Sequence, residues 1–205
     1  MAIGSALLFN IKLPINFNSP FKSVSIIDFW KRWHITLSNF ITNYMYFPLV
    51  KNFGNKYFFN IFSIILVMTI AGIWHGPRWT YLIFGLMHGL ALAFNNLFRF
   101  KINNILSILL TFAFVNFSFV FFNSKTVDQS LIMFSKLFNP NNLGTNYNFN
   151  DFVLLLFSAI IIFFFKNSNY LFKIKPSYKN TFLIIILFVL CIFNLDEKEF
   201  IYFDF

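Results

Sequence analysis

Residues 25–38 read Ser25-Ile26-Ile27-Asp28-Phe29-Trp30-Lys31-Arg32-Trp33-His34-Ile35-Thr36-Leu37-Ser38. Ser25 followed three positions later by Asp28 has the form of a capping box, so a helix is expected to start here. Phe29, Trp33, Leu37, Phe40, Ile41 and Tyr44 then recur at helical spacing, while Arg32, Thr36, Asn39 and Asn43 fall on another face. The pattern predicts one amphipathic helix ended by Pro48. Such a helix is too polar to cross lipid alone. It lies at the interface or dips into the protein's own interior as a re-entrant segment.

The chain on the C-terminal side is of another kind. Five apolar runs follow: Tyr57 to Trp74, Trp79 to Phe98, Ile102 to Phe122, Phe152 to Phe165 and Thr181 to Phe193. The first three are long enough to span a bilayer at about 1.5 Å of rise per residue. The last two reach that length only with flanking polar residues in the interface. Asn123 to Asn148 reads as a polar loop. On the N-terminal side, Leu13 to Pro20 holds two prolines among Asn and Ser, and is expected to be an extended segment.

Composition agrees. Of 205 residues, 58% are hydrophobic and only 11% charged, too few to cover a water-facing surface. The expected class is an all-α integral membrane protein: a polytopic helical bundle with an interfacial or re-entrant amphipathic helix. One membrane domain is expected over 1–205, with the interfacial part in 1–56 and about five transmembrane helices in 57–195.

The net charge of +9 does not mark a nucleic-acid binder, because Lys and Arg sit in the gaps between apolar runs. If all five runs cross, the residues around Lys31 to Lys56, then Arg99 and Lys101, then Lys166 to Lys179 share one side. The positive-inside rule places that side in the cytoplasm. The single cysteine, Cys191, excludes an internal disulfide and a multi-cysteine zinc site.

Three histidines remain. His75, in Gly72-Ile73-Trp74-His75-Gly76-Pro77, closes an uncharged run where the helix must end. An ionisable residue inside a membrane protein is a functional candidate. A neutral imidazole can accept a hydroxyl proton. The alternative is a histidine held across helices by hydrogen bonds. His34 stands four residues from both Trp30 and Ser38, so a continuous helix puts all three on one face. An interfacial side chain at headgroup level is its other reading. His88, in Gly85-Leu86-Met87-His88-Gly89, faces a small-residue packing surface and reads as structural. The spacings contain no metal-binding motif. Lys31 and Arg32 can hold a substrate phosphate or carboxylate, or anchor to headgroups.

Asp28-Phe29-Trp30-Lys31-Arg32-Trp33-His34, then Tyr44-Met45-Tyr46-Phe47-Pro48-Leu49, then Gly72-Ile73-Trp74-His75-Gly76, resemble the membrane-bound O-acyltransferase family, above all its alginate O-acetylase-like branch. Leu13-Pro14 with Asn16-Phe17-Asn18, Gly85 to Gly89 and the tail Phe200 to Phe203 support the likeness. The resemblance implies that His75 is catalytic and His34 a second essential residue. Trp30, Trp33 and Trp74 are implied as walls of the reaction chamber; Arg32 joins them as a substrate contact on its own chemistry.

No bound cofactor or metal is implied. The implied donor is a cytoplasmic acyl thioester, acetyl-CoA or an acyl carrier. The implied acceptor is an extracytoplasmic polysaccharide or partner-protein hydroxyl, at a bacterial inner membrane crossed several times. Lys31 and Thr42-Asn43 depart from the usual Arg and Arg-Asp of the family, and Asp204 from a polar or basic residue. Members are longer, and Met1 matches an internal methionine. The chain is therefore expected to be a C-terminal half, with an N-terminal half missing. The alternative is a catalytically incomplete scaffold subunit or gene fragment.

Overall fold

The structure, a computed structural model, describes residues 2–52, 56–98, 102–139, 149–171 and 177–193. Every regular element among them is helical. They fall into two compact units, Met1–Phe165 and Lys166–Phe205. The tail with Phe200 to Phe203 and Asp204 lies outside the described residues, as does the side chain of Cys191.

Three helices of the first unit are long and apolar enough to cross a membrane: α5 (Tyr57–Trp74), α6 (Trp79–Leu97) and α7 (Asn104–Asn123). They match the first three apolar runs closely. α9 (Phe149–Phe164) matches the fourth and is shorter. Phe58, Leu109 and Leu154 are among many large apolar side chains left exposed on these helices. Water would penalise such surface at about 25 cal/mol per Å², whereas lipid tails match it.

α5 and α6 form the tightest pair, folded back on each other by residues 75–78. Gly76 permits the reversal, at a φ of 149° that side chains rarely adopt. Along the contact Gly72 faces Gly85. A Cβ built on Gly72 would stand 2.9 Å from the Gly85 Cα and run into the Tyr81 carbonyl. Small residues at this seam let the two backbones approach.

The amphipathic stretch is not one helix. It is α2 (Ile26–Trp30), α3 (Ile35–Ile41), a π turn (Thr42–Tyr46) and α4 (Phe47–Asn52). The break falls at His34, where the backbone turns left-handed (φ 47°, ψ 50°). Pro48 does not end the helix. It sits two residues beyond the π turn, inside a helical stretch that continues to Asn52. The wider π turn precedes it, and so avoids the clash of its ring with the Tyr44 carbonyl that a regular helix would force.

The capping box is present in modified form. Ser25 Oγ accepts the Asp28 N–H at 3.0 Å, but the Asp28 carboxylate accepts from Val24, not Ser25. Ile26 N–H then donates to Asn95 Oδ1 of α6. Phe29, 1% exposed, joins Ile26 and Val115 in a core ringed by Trp30, Trp33, Phe114 and Phe119. So α2 is buried in the unit, against α6.

A further correction concerns 123–148, read as polar loop. Val127–Leu137 is a helix, α8. Thr126 Oγ1 accepts from Gln129 N–H, and Gln129 Oε1 accepts back from Lys125 N–H. This Thr-x-x-Gln cap is visible in the sequence. Phe134 stacks on Phe117 at 4.2 Å and holds α8 to α7.

α1 (Ala2–Leu8) leads into the expected extended segment. A short 3-10 turn (Pro20–Lys22) follows, from which the Lys22 ammonium donates to the Phe165 carbonyl at 2.7 Å. In the second unit α10 (Ser168–Leu171) carries Tyr170, whose ring lies 4.0 Å from the Lys166 ammonium. α11 (Tyr178–Phe193) covers the fifth apolar run, and Ser177 Oγ accepts from Asn180 N–H at its start.

Candidate active site

His34 is built from two sides. The extended segment runs beside it. Asn18 N–H donates to the Arg32 carbonyl, and Ile35 N–H donates to the Asn16 carbonyl, both at 2.9 Å. Asn16 Oδ1 accepts twice from Thr36, from its N–H at 3.1 Å and its hydroxyl at 2.9 Å. These bonds bracket His34 and hold it in a conformation that costs a non-glycine residue about 1–2 kcal/mol. Phe17 lies 6.1 Å from its ring. Its Nδ1 is buried without a hydrogen-bond partner among the described residues. Burial pushes its pKa below the usual histidine value. Asn16 belongs to the family likeness at Asn16-Phe17-Asn18, but nothing local in the sequence marks it as the clamp.

His75 follows α5 directly, its N–H still bonded to the Gly72 carbonyl at 3.1 Å. Its ring meets Trp74 at 5.1 Å and the edge of Phe122, from α7, at 5.0 Å. Its pKa is lowered from 6.5, first by burial and then by the charge of His34. His34 and His75 stand 41 positions apart in the sequence and come from separate elements.

A cavity of about 340 Å³ opens between α2, α3, α5 and α6. His75 lines it, together with Trp30, Lys31, Ser38, Thr42 and Gly72. His34 is not part of that lining. With His34 outside any helix, the face expected to join Trp30, His34 and Ser38 does not exist. Trp30 and Ser38 reach the cavity without it.

The other expected substrate contacts divide. Trp33 is not among the lining residues; it stacks on Phe29 at 5.6 Å and meets Phe119 at 5.4 Å. Trp74 is 67% exposed and lies outside the lining. Arg32 is outside too, its Nε paired with the Asp28 carboxylate at 2.9 Å. Lys31 is the charged residue of the lining and has no ion-pair partner among the described residues. Thr42, in place of the usual Arg, donates its hydroxyl to the Ser38 carbonyl at 2.7 Å.

His88 is wholly buried in α6. Its Nδ1 lies 3.2 Å from the Trp30 indole nitrogen and its Nε2 2.8 Å from Ser118 Oγ of α7. Among the described residues no three His, Cys, Asp or Glu side chains gather as a metal site.

A partly buried histidine at the end of a long apolar helix, lining a cavity shared with α2, α3 and α6, points to a class, and sequence comparison fixes it. Residues 1–134 match the family model of MBOAT, the membrane-bound O-acyltransferase family, and the chain belongs to that family. It is 37% identical to a peptidoglycan O-acetyltransferase of Helicobacter pylori, over all of this chain and 45% of that protein. It is 36% identical to a probable alginate O-acetylase, AlgI, of Azotobacter vinelandii, over 68% of this chain and 28% of that one. A teichoic acid D-alanyltransferase of Bacillus subtilis is 34% identical, over 60% and 36% respectively. The chain thus spans less than half the length of these relatives.

Proposed function

We propose that this chain carries the acyl-transfer centre of a membrane-bound O-acyltransferase. In this reading a cytoplasmic acyl thioester, acetyl-CoA or an acyl carrier, gives up its acyl group. A hydroxyl of an extracytoplasmic polysaccharide, or of a partner protein that passes the group on, receives it. The protein works as a multi-pass component of the bacterial inner membrane. The relatives named for O-acetylation of peptidoglycan and alginate support an acetyl group and a carbohydrate acceptor.

The chemistry assigns one step to each group. Neutral His75 takes the proton of the acceptor hydroxyl as its oxygen attacks the acyl carbonyl. The C–O ester bond forms, the C–S bond breaks, and the thiolate leaves and is protonated. His34 is the second essential residue of this reading. Lys31 meets an anionic group of the donor or acceptor.

The observation that carries this reading is His75 in the wall of a cavity lined by the long apolar helices α5 and α6 and by the short helices α2 and α3. The test is ester content of the cell-envelope polymer in cells carrying His75→Ala. General-base loss predicts a fall of about 10²–10⁴-fold in transfer, with the protein still inserted. Retained ester would remove His75 from the mechanism.

A further inference from the structure

Trp30 belongs to the cavity wall, but what fixes its indole lies behind it. An indole N–H only donates, so His88 Nδ1, 3.2 Å away, must be the acceptor. Nε2 then carries the proton and donates to Ser118 Oγ at 2.8 Å. The Ser118 hydroxyl donates in turn to the Val115 carbonyl at 2.7 Å. Each member has one role, and the chain runs in one direction from α2 through α6 to α7.

The surroundings leave no substitute. His88 and Ser118 are both 0% exposed. The imidazole is enclosed by Phe84 at 4.5 Å, Phe114 at 5.3 Å and Phe29 at 6.1 Å between ring centres. Phe84 is itself a wall of the cavity. Without His88 the indole N–H either stays unpaired in apolar surroundings or turns away to find a partner. The first leaves a buried donor unsatisfied; the second moves the wall.

We propose that His88 is a positioning residue of the transfer centre, holding the Trp30 indole in the cavity wall through a hydrogen-bond chain anchored on the Val115 carbonyl. The inference rests on the acyl-transfer reading for its catalytic consequence and on geometry alone for the hydrogen bond.

The experiment has two arms on the full chain. In detergent, ultraviolet resonance Raman spectra report indole N–H hydrogen bonding, and the difference from Trp30→Phe isolates the Trp30 band. His88→Leu should shift that band to the unbonded position, whereas His88→Gln, with an amide oxygen as acceptor, should keep it bonded. In membranes given labelled acetyl-CoA, His88→Leu should lower kcat by about 10–100-fold with KM little changed, the size expected of a displaced positioning group. His88→Gln should recover most of the loss, and His88→Leu with Trp30→Phe should be no worse than the poorer single variant.

Should His88→Leu not fold, Ser118→Ala gives the same comparison from the other end. An unmoved Trp30 band, or losses that multiply in the double variant, overturns the proposal. If wild-type membranes transfer no acetyl group, the acyl-transfer reading fails, and the Raman arm still decides whether His88 holds Trp30.

Discussion

Gly72 of α5 and Gly85 of α6 meet backbone to backbone, with Gly72 three residues before His75 in the chain. The close approach sets how far the catalytic candidate stands from α6. Gly85→Val puts a branched side chain where a Cβ already lies 2.5 Å from the Met68 carbonyl. Overpacking of this kind costs about 1–3 kcal/mol or more. The expected result is a lower thermal midpoint in detergent and loss of transfer. Gly4→Ala, where a Cβ meets nothing within 4 Å, is the control and should leave both unchanged.

The left-handed backbone at His34 makes glycine the better-fitting residue there. His34→Gly should be more stable than His34→Ala by about 1 kcal/mol, read by thermal unfolding. Both lack the imidazole and should be equally poor in transfer. Equal stability of the two would mean that the strain is not present in the folded protein.

Asn16 acts on His34 only through the backbone. Asn16→Ala removes the acceptor for two Thr36 bonds and should destabilise by about 1–3 kcal/mol. Asn16→Asp keeps an acceptor oxygen at that position and should restore most of the stability and of the transfer. Failure of Asp to restore either would assign Asn16 a different role.

Burial and the His34 charge both lower the His75 pKa, so the neutral base persists below the ordinary value of 6.5. Transfer should therefore stay level from neutral pH down past 6.5 and fall only in more acid solution. The stability sign is the same. The folded protein resists protonation, so stability is full above the unfolded value and is lost as pH falls toward the folded one. His34→Gln removes the neighbouring charge and should move the midpoint of any remaining acid limb upward. A midpoint that stays in place would mean that the imidazoles do not interact.

Lys31 and Arg32 are adjacent cations with different surroundings. Arg32 is paired with Asp28 outside the cavity, and such part-exposed pairs contribute about 0–1 kcal/mol. Arg32→Ala should change KM for the acyl donor little. Lys31→Ala should raise it roughly tenfold, the equivalent of about 1.4 kcal/mol of lost binding. The reverse pattern would return Arg32 to the substrate.

The apolar runs determined the class of protein and the positions of α5, α6, α7 and α9, because a helix that must bond its own backbone in lipid announces itself as an unbroken hydrophobic length. The Ser25 cap and the end of α5 at His75 were local facts as well, and the Thr126 cap of α8 was equally local. What only the tertiary structure decided was contact. Periodicity ran straight through His34, since the bonds that turn its backbone come from Asn16 and Asn18 on a separate segment. Trp30, Trp33 and Trp74 look alike in sequence. Their different fates, in the cavity wall, against the core and on the surface, follow from which helix each one meets. Adjacent Lys31 and Arg32 were separated in the same way, by the single carboxylate that Asp28 places within reach of one of them.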